Sequence, residues 1–232
     1  MTENQFTENF SYIEDNLKEI QENIETAKQK AGRTDKVKIM AVTKTVPYEA
    51  VNYAIKCGID LIGENRVQEY LSKADYYTKN IETHFIGHLQ TNKIKYIADK
   101  VDLVQSVDSI KLANELNKAA KKAGRVLPIL IEINCEEESK SGVAFDEAAN
   151  LIYEASKFEN LCINGLMTIP PIENSEKFFA KMQALYIDIK SKKLDNIDMK
   201  YLSMGMSGDY MTAIQYGANI VRIGTRLFGA RK

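Results

Sequence analysis

A regular alternation of short apolar runs with amphipathic segments constrains this chain more than any other feature. There are eight such runs, and each except the last is followed by a segment with the apolar spacing of a helix. Apolar runs separated by helices are typical of parallel sheets that are covered on both faces. The sequence therefore predicts strands at 37–42, 59–63, 84–87, 101–107, 127–135, 161–169, 200–205 and 219–224.

Four of the predicted helices end in the same way. Gly32, Gly58, Gly124 and Gly217 each follow the last residue of a helical segment, and a strand begins a few residues later. Glycine adopts the left-handed conformation that commonly ends a helix. The recurrence of this ending indicates one repeated strand–helix unit.

Apolar spacing also predicts individual helices. Ile94, Ile97 and Ala98 mark one face of a helix after the third predicted strand. Before the first strand, apolar residues recur at spacings of three and four after the first step, which places them in one stripe along a long helix. The stripe contains Phe6, Phe10, Ile13, Leu17, Ile20, Ile24, Ala27 and Ala31.

Length and loop sequence favour a closed barrel over an open sheet. Eight such units need about 200–250 residues to close a barrel, and the chain has 232. An open doubly wound sheet carries G-x-G-x-x-G after its first strand, but V-T-K-T-V-P stands at 42–47. Only eight residues follow Gly224, so the leading helix fills the place of a missing or one-turn last helix. We therefore expect an α/β fold, a single TIM-type (β/α)8 barrel domain over 1–232.

Composition and charge exclude several function classes. The 31 basic and 32 acidic residues give a formal charge of −1, which provides no long-range field for nucleic acid or an anionic membrane. No apolar stretch is long enough for a membrane span, and the polar residues 1–10 do not resemble a secretory signal. The three cysteines lie far apart without a C-x-x-C motif, so no metal site is expected. We expect a cytoplasmic monomer with reduced thiols.

The loops after the last two strands have the composition of an anion site. Ser207 and Gly208 follow the seventh strand, and Gly224 and Thr225 follow the eighth. Small residues let the backbone approach a ligand, and barrels commonly hold a phosphate in this pair of loops. The alternative is that these residues only cap the short helices that follow.

A lysine stands at the end of the first strand. Lys44 follows I-M-A-V-T and shares a strand face with Met40 and Val42. A lysine with a desolvated stem can act as a nucleophile toward an aldehyde. Such a lysine beside a phosphate site suggests pyridoxal 5'-phosphate (PLP). The alternative is an ion pair between Lys44 and a carboxylate such as Glu64.

An arginine on the eighth strand adds a third element. Arg222 shares a face with Ile220 and Gly224 and is therefore expected to point at the same ligand as Thr225. Arginine only donates hydrogen bonds. Opposite the pyridine nitrogen of PLP it would keep that nitrogen unprotonated, which makes the ring a poor electron sink. The alternative is a salt bridge inside the barrel, for instance to Glu132.

Eight motifs stand in order at the predicted strand ends, and together they are highly specific. On these motifs the chain resembles the PLP-binding protein family, also called the pyridoxal phosphate homeostasis protein family, whose fold is related to the barrel domain of alanine racemase. The motifs are AVTK (41–44), GENRVQE (63–69), HFIGHLQTNK (84–93), QSVDS (105–109), SKSG (139–142), GLMTI (165–169), SMGMSGDYMTAI (203–214) and VRIGTRLFG (221–229).

The resemblance implies a set of cofactor contacts. Lys44 would carry PLP as a Schiff base, and Arg222 would face the pyridine nitrogen. Ser207, Gly224 and Thr225 would hold the phosphate, with Asn65 and Met206 in the surrounding shell. Two departures lie outside these positions: Arg66 stands where many members carry an aromatic residue, and Thr83 where tryptophan is frequent.

The resemblance leaves two functions from different classes. One is a carrier that buffers PLP and hands it to PLP-dependent apoenzymes, and the other is an amino-acid racemase. The alanine racemase architecture adds a C-terminal domain that supplies a catalytic tyrosine, and this chain ends at Lys232 without room for it. We therefore expect a carrier in PLP homeostasis rather than an enzyme.

A racemase also needs an acid or base on each face of its substrate. His88 and Cys135 qualify by residue type, but a loop residue and a packed thiol are the simpler interpretations. Tyr210, just after the seventh-strand loop, is the tyrosine to test. The sequence assigns none of these three a role.

Overall fold

Eight parallel strands form one closed barrel in the computed structural model, which describes residues 9–135, 141–171 and 173–230. Each strand pairs with its neighbours in chain order, and the first strand pairs with the last. The expected fold class is therefore confirmed. The strands are β1 (Lys38–Val42), β2 (Leu61–Glu64), β3 (Glu82–Phe85), β4 (Leu103–Val107), β5 (Leu127–Ile133), β6 (Leu161–Thr168), β7 (Ile197–Met206) and β8 (Ile220–Ile223).

Helices surround the barrel. Gly32, Gly58, Gly124 and Gly217 all have positive φ where a helix ends, as their sequence context predicts. Among the described residues, no helix is both long and apolar enough to cross a membrane. The helices are α1 (Tyr12–Lys30), α2 (Tyr48–Lys56), α3 (Val67–Lys73), α4 (Ile110–Lys122), α5 (Phe145–Ala155), α6 (Ser175–Ser191), α7 (Tyr210–Gln215) and α8 (Thr225–Phe228).

The connection after β3 differs from the predicted α-helix. It contains a 3₁₀-helix at Thr91–Tyr96 instead. Ile94, Ile97 and Ala98 are all buried, so the apolar face was correctly identified. A spacing of three between apolar residues fits both an α-helix and a 3₁₀-helix, so it does not distinguish them.

The leading helix fills the position that a full eighth helix would occupy. Helix α8 is a single turn, and α1 packs against α7, α8 and α2. Tyr12 and Asn16 donate hydrogen bonds to the carbonyl groups of Phe228 and Leu227, at 3.1 and 3.0 Å. The stripe residues from Ile13 to Ala27 are buried, whereas Phe6 lies outside the described residues.

The inside of the barrel contains both apolar and polar side chains. Met40, Leu61, Ile86 and Ile220 form one apolar cluster, and Leu103, Leu130 and Met167 form another. These clusters are separate from the main core between the strands and the helices. His84, Gln105, Ser203 and Arg222 are also buried on these strands. Buried polar side chains need hydrogen-bond partners, so these four must find them inside the protein.

Gly165 allows β6 and β7 to approach each other closely. Its φ is +148°, and the register of β6 shifts beside it against both β5 and β7. A Cβ atom at this position would lie 1.8 Å from the carbonyl oxygen of Tyr201. The backbone of β7 occupies the space that a side chain would need.

We predict that Gly165→Ala lowers the free energy of unfolding by at least about 3 kcal/mol, since strand backbone must move to admit the methyl group. Gly124→Ala is the control. Gly124 also has positive φ, but nothing lies within 4 Å of the added Cβ, so a loss of only about 1 kcal/mol is expected. Urea unfolding measures both values, and equal losses would contradict the close approach at Gly165.

Candidate functional site

The carboxyl ends of the parallel strands form one mouth of the barrel. Seven sequence-predicted cofactor residues lie there, and three consecutive strands of the closed order, β7, β8 and β1, supply all but one of them. The exception follows β2. The residues are Lys44, Asn65, Met206, Ser207, Arg222, Gly224 and Thr225.

Lys44 lies in a tight turn directly after β1. The N–H group of Val46 donates to the carbonyl of Thr43 at 3.0 Å, and Thr45 has a φ of +62°. Both the N–H group and the hydroxyl of Thr43 donate to the carbonyl of Gly63 at 3.1 Å. The turn is therefore attached to β2. Lys44 is half-buried and follows, two residues on, Val42, which packs against the apolar cluster inside the barrel.

A buried lysine that the sequence reading missed supports this turn. Lys73 donates to the carbonyl groups of Thr43 and Val46 at 3.0 and 3.2 Å, and to the carboxylate of Glu69 at 2.8 Å. Glu69 also accepts a hydrogen bond from the N–H group of Thr45 at 2.6 Å. The spacing of four between Glu69 and Lys73 on α3 was the available sign of this ion pair.

The position of Glu64 does not favour the alternative role for Lys44, which was an ion pair with this carboxylate. It follows Gly63, which faces Met40 inside the barrel, so the carboxylate of Glu64 points outward. It accepts a hydrogen bond from Tyr77 at 2.5 Å, and Lys73 lies 3.9 Å away. Burial raises the pKa of Glu64, and the hydrogen bond from Tyr77 opposes that shift.

Arg222 is buried and held by neutral acceptors. Its guanidinium donates to the carbonyl and the hydroxyl of Ser203, both at 2.8 Å, and to the carbonyl of Thr168 at 2.7 Å. Burial lowers its pKa to about 10, and the nearby carboxylate of Glu132 opposes that shift. Arg222 therefore remains a charged donor at neutral pH.

The alternative salt bridge between Arg222 and Glu132 is not formed, since no ion pair within 4.0 Å joins them in the described part of the chain. Glu132 accepts a hydrogen bond from Ser141 at 2.7 Å. Burial raises its pKa. Because β5 stands opposite β1 in the closed order, Glu132 is an acid across the barrel from Lys44, a role that the sequence did not assign.

The loops after β7 and β8 are joined to each other. The N–H group of Arg226 donates to the hydroxyl of Ser207 at 3.3 Å, and Asp209 accepts from the N–H group of Met206 at 2.7 Å. Among the described residues, the N–H groups of Ser207, Gly208 and Thr225 donate to no acceptor. The two loops therefore present several donors to an anion at the mouth.

Asn65 and the cavity beside it complete the mouth. The side-chain oxygen of Asn65 is buried and has no hydrogen-bond partner among the described residues. A cavity of about 560 Å³ opens next to it, and Arg66, His88 and Lys93 contribute to its lining. An orphaned acceptor and a set of free N–H donors around one mouth fit a ligand with both polar and anionic groups.

The three remaining candidates differ in exposure. His88 is exposed, whereas Cys135 is buried with its sulfur 2.9 Å from the hydroxyl of Thr168. Tyr210 is buried in the main core, and its hydroxyl has no partner in the described part of the chain. Of the motif at 139–142, residues 139 and 140 lie outside the described residues.

Residues 16–232 match the family described as alanine racemase, N-terminal domain. A pyridoxal phosphate homeostasis protein of Aquifex aeolicus is 43% identical over 223 residues, which cover 93% of this chain and 97% of that protein. Relatives with the same description occur in Pasteurella multocida and other bacteria.

Solved structures of similar length share the fold. A protein of unknown function from Bifidobacterium adolescentis is 32% identical, with a TM-score of 0.91 over 98% of this chain and 97% of its own. PipY of Synechococcus elongatus, solved with PLP bound, is 27% identical, with a TM-score of 0.82 over 94% of this chain and 100% of its own. The chain belongs to the alanine racemase N-terminal domain family and, within it, to the pyridoxal phosphate homeostasis proteins.

Proposed function

We propose that this chain binds PLP at the barrel mouth through a Schiff base on Lys44 and acts as a reversible PLP carrier. The observation that carries the proposal is the adjacency of β7, β8 and β1, because the two loops with free N–H donors, the buried Arg222 and Lys44 all belong to these neighbouring strands or follow them. The descriptions of its relatives and the PLP bound to PipY support the same ligand.

Lys44 supplies the covalent attachment. Its Nζ atom adds to the aldehyde carbon of PLP, a C=N bond forms, and the aldehyde oxygen leaves as water. No electrons are gained or lost, and hydrolysis returns the lysine and the aldehyde unchanged. A reversible bond of this kind suits a protein that stores a reactive aldehyde and later releases it.

The loops after β7 and β8 are assigned to the phosphate. The unpaired N–H groups of Ser207, Gly208 and Thr225 are the donors on offer, and the side chains of Ser207 and Thr225 add two hydroxyls. Gly224 would let the ligand approach β8, because it has no side chain; a Cβ placed there would lie 3.6 Å from the Cβ atom of Val42. Met206 is level with Arg222 on the neighbouring strand, and Asn65 is assigned to the surrounding shell.

Arg222 is assigned to the pyridine nitrogen of PLP, whose ring supplies electron-sink chemistry when that nitrogen is protonated. A guanidinium held at three points offers the nitrogen only donors and no proton acceptor. The nitrogen would therefore stay unprotonated, which disfavours carbanion chemistry. This property supports the carrier over an efficient enzyme.

An amino-acid racemase is the alternative, and one observation favours it. Glu132, buried and with a raised pKa, stands across the barrel from Lys44 as a second acid or base. The other candidates are weaker, because His88 is exposed while Cys135 and Tyr210 are packed. We place the protein in the cytoplasm as a monomeric single domain that supplies PLP-dependent apoenzymes.

We predict that the wild-type protein saturated with PLP shows the visible absorption of a Schiff base and that Lys44→Ala does not. Lys36→Ala is the control, because Lys36 is a solvent-exposed lysine paired with Asp60. It should keep the wild-type spectrum. An absent band in the saturated wild type, or an unchanged band in Lys44→Ala, would overturn the attachment at Lys44.

The same samples separate the carrier from the racemase. With L- or D-alanine added to the loaded wild type, the carrier predicts no formation of the other enantiomer at a rate typical of enzymes, about 1 s⁻¹ or more. Turnover at such a rate that is lost in Glu132→Gln would establish the racemase instead.

We predict that Thr225→Asp weakens PLP binding at least tenfold, about 1.4 kcal/mol, because it places a carboxylate against the phosphate. The fold should tolerate the change, since Thr225 is exposed and an acidic residue is favourable in a first helical turn. Thr91→Asp makes the same change at the start of another short helix and should bind PLP normally.

Pyridoxal, which lacks the phosphate, isolates the cause of this effect. Its affinity for Thr225→Asp should equal its affinity for the wild type, as measured by fluorescence titration. If Thr225→Asp weakened pyridoxal and PLP equally, the phosphate would not be bound at this loop.

A further inference from the structure

A continuous row of polar side chains crosses the inside of the barrel. It begins at Arg222 near the mouth and ends at the opposite, amino-terminal ends of β1 and β3. Its six side chains come from five strands, and hydrogen bonds link them one after another. In order along the row, the residues are Arg222, Ser203, Gln105, His84, Glu82 and Lys38.

Each inner link of the row is short and well defined. The hydroxyl of Ser203 lies 2.7 Å from the side-chain oxygen of Gln105, and the amide nitrogen of Gln105 lies 2.9 Å from Nδ1 of His84. Nε2 of His84 lies 2.9 Å from Glu82. The other carboxylate oxygen of Glu82 accepts a hydrogen bond from Lys38.

Arg222 and Glu82 fix the direction of the hydrogen bonds between them. Arg222 can only donate, so the hydroxyl of Ser203 accepts from it and uses its own proton to donate to Gln105. The amide of Gln105 then donates to Nδ1 of His84, and Nε2–H of His84 donates to Glu82. The ionised carboxylate of Glu82 only accepts hydrogen bonds, so every donor in the row has an acceptor.

Arg222 and Glu82 keep these roles over a wide pH range. The hydrogen bond from His84, helped by Lys38, lowers the pKa of Glu82 to about 2, so this carboxylate remains an acceptor. Burial lowers the pKa of Arg222 only to about 10, so the guanidinium remains a donor. The orientation of Ser203, Gln105 and His84 is thus determined from both sides.

The inner members of the row have little access to water. Gln105 and Ser203 are fully buried, and His84 and Arg222 are 1% and 3% exposed. Apolar clusters lie within the same barrel interior. In such surroundings a group that loses its partner remains unsatisfied, which costs more than the bond itself contributes.

We propose that Ser203, Gln105, His84 and Glu82 form one directional relay that positions Arg222 for the ring nitrogen of PLP. The function of the relay rests on the proposed function above, whereas its existence does not. If one hydrogen bond of the row reversed its direction, the next ones would have to reverse as well, because each side chain can satisfy both neighbours in only one orientation. Ser203, Gln105 and His84 are therefore positioning residues.

The relay also connects the two ends of the barrel. Lys38 is half-buried and lines a cavity of about 350 Å³ between α1 and the strand starts. The ring of Tyr201 lies 5.8 Å from its Nζ atom and 6.3 Å from the ring of His84. The donor arrangement at the cofactor end is thus tied to a charged group near the far surface.

Nitrogen-15 NMR of histidine-labelled protein tests the relay without any PLP. His84 and His88 are the two histidines of the chain, so His88→Gln assigns the spectrum. At about pH 8, where an ordinary imidazole is neutral, His84 should carry its proton on Nε2 and show Nδ1 as an acceptor. The opposite tautomer in the wild type would overturn the relay, even if no variant folds.

Ser203→Ala then tests whether the links are coupled. Ser203 does not contact His84, yet loss of its hydroxyl frees Gln105 to turn, so the two ring-nitrogen resonances of His84 should move toward each other. Ser203→Thr keeps the hydroxyl and should keep the wild-type resonances. If Ser203→Ala folds and leaves the His84 resonances unchanged, the groups are independent and the relay is wrong.

The effect on the cofactor is measured with Gln105→Leu. We expect its PLP dissociation constant to rise roughly threefold to tenfold and its bound-PLP absorption to change shape. Gln215→Leu makes the same change on the exposed surface and should match the wild type. Identical PLP binding and spectra in both variants would overturn the positioning of Arg222. A wild type that binds no PLP would overturn the proposed function, while the NMR result still decides the relay.

Discussion

Closure of the parallel sheet is the constraint on which the rest of the structure depends. Only in a closed barrel does β8 pair with both β7 and β1, which puts Arg222 level with Met206 on one side and Met40 on the other. The loops after β7 and β8 and the Lys44 turn become neighbours for the same reason, although they lie far apart in the chain. Helix α1 completes the outer layer where α8 provides one turn.

Burying an arginine inside this barrel creates the second constraint. A charge removed from water needs fixed hydrogen-bond partners, and Arg222 finds neutral ones on β6 and β7 rather than a carboxylate. One partner, Ser203, is itself held by Gln105 and through it by His84. The same arrangement therefore satisfies a buried cation and fixes the orientation of the polar groups inside the barrel.

The sequence was informative where structure follows local pattern. The eight apolar runs, the four helix-ending glycines and the stripe on α1 each reflect backbone preference or burial that one segment determines alone. Boundaries differed more: β3 begins at Glu82, two residues before its predicted start, because Glu82 and Thr83 are polar and do not belong to the apolar run. The contacts of the relay could not be predicted, since Ser203 and Gln105 are 98 residues apart and only the register of the barrel joins them.

Borohydride reduction of the PLP-loaded protein, followed by peptide mapping, tests the central claim most directly. Reduction converts the C=N bond to a stable secondary amine, so the modified peptide identifies the lysine that held PLP. The account predicts one major modified site, at Lys44 in the turn after β1. Modification mainly at another lysine, or none in protein saturated with PLP, would contradict it.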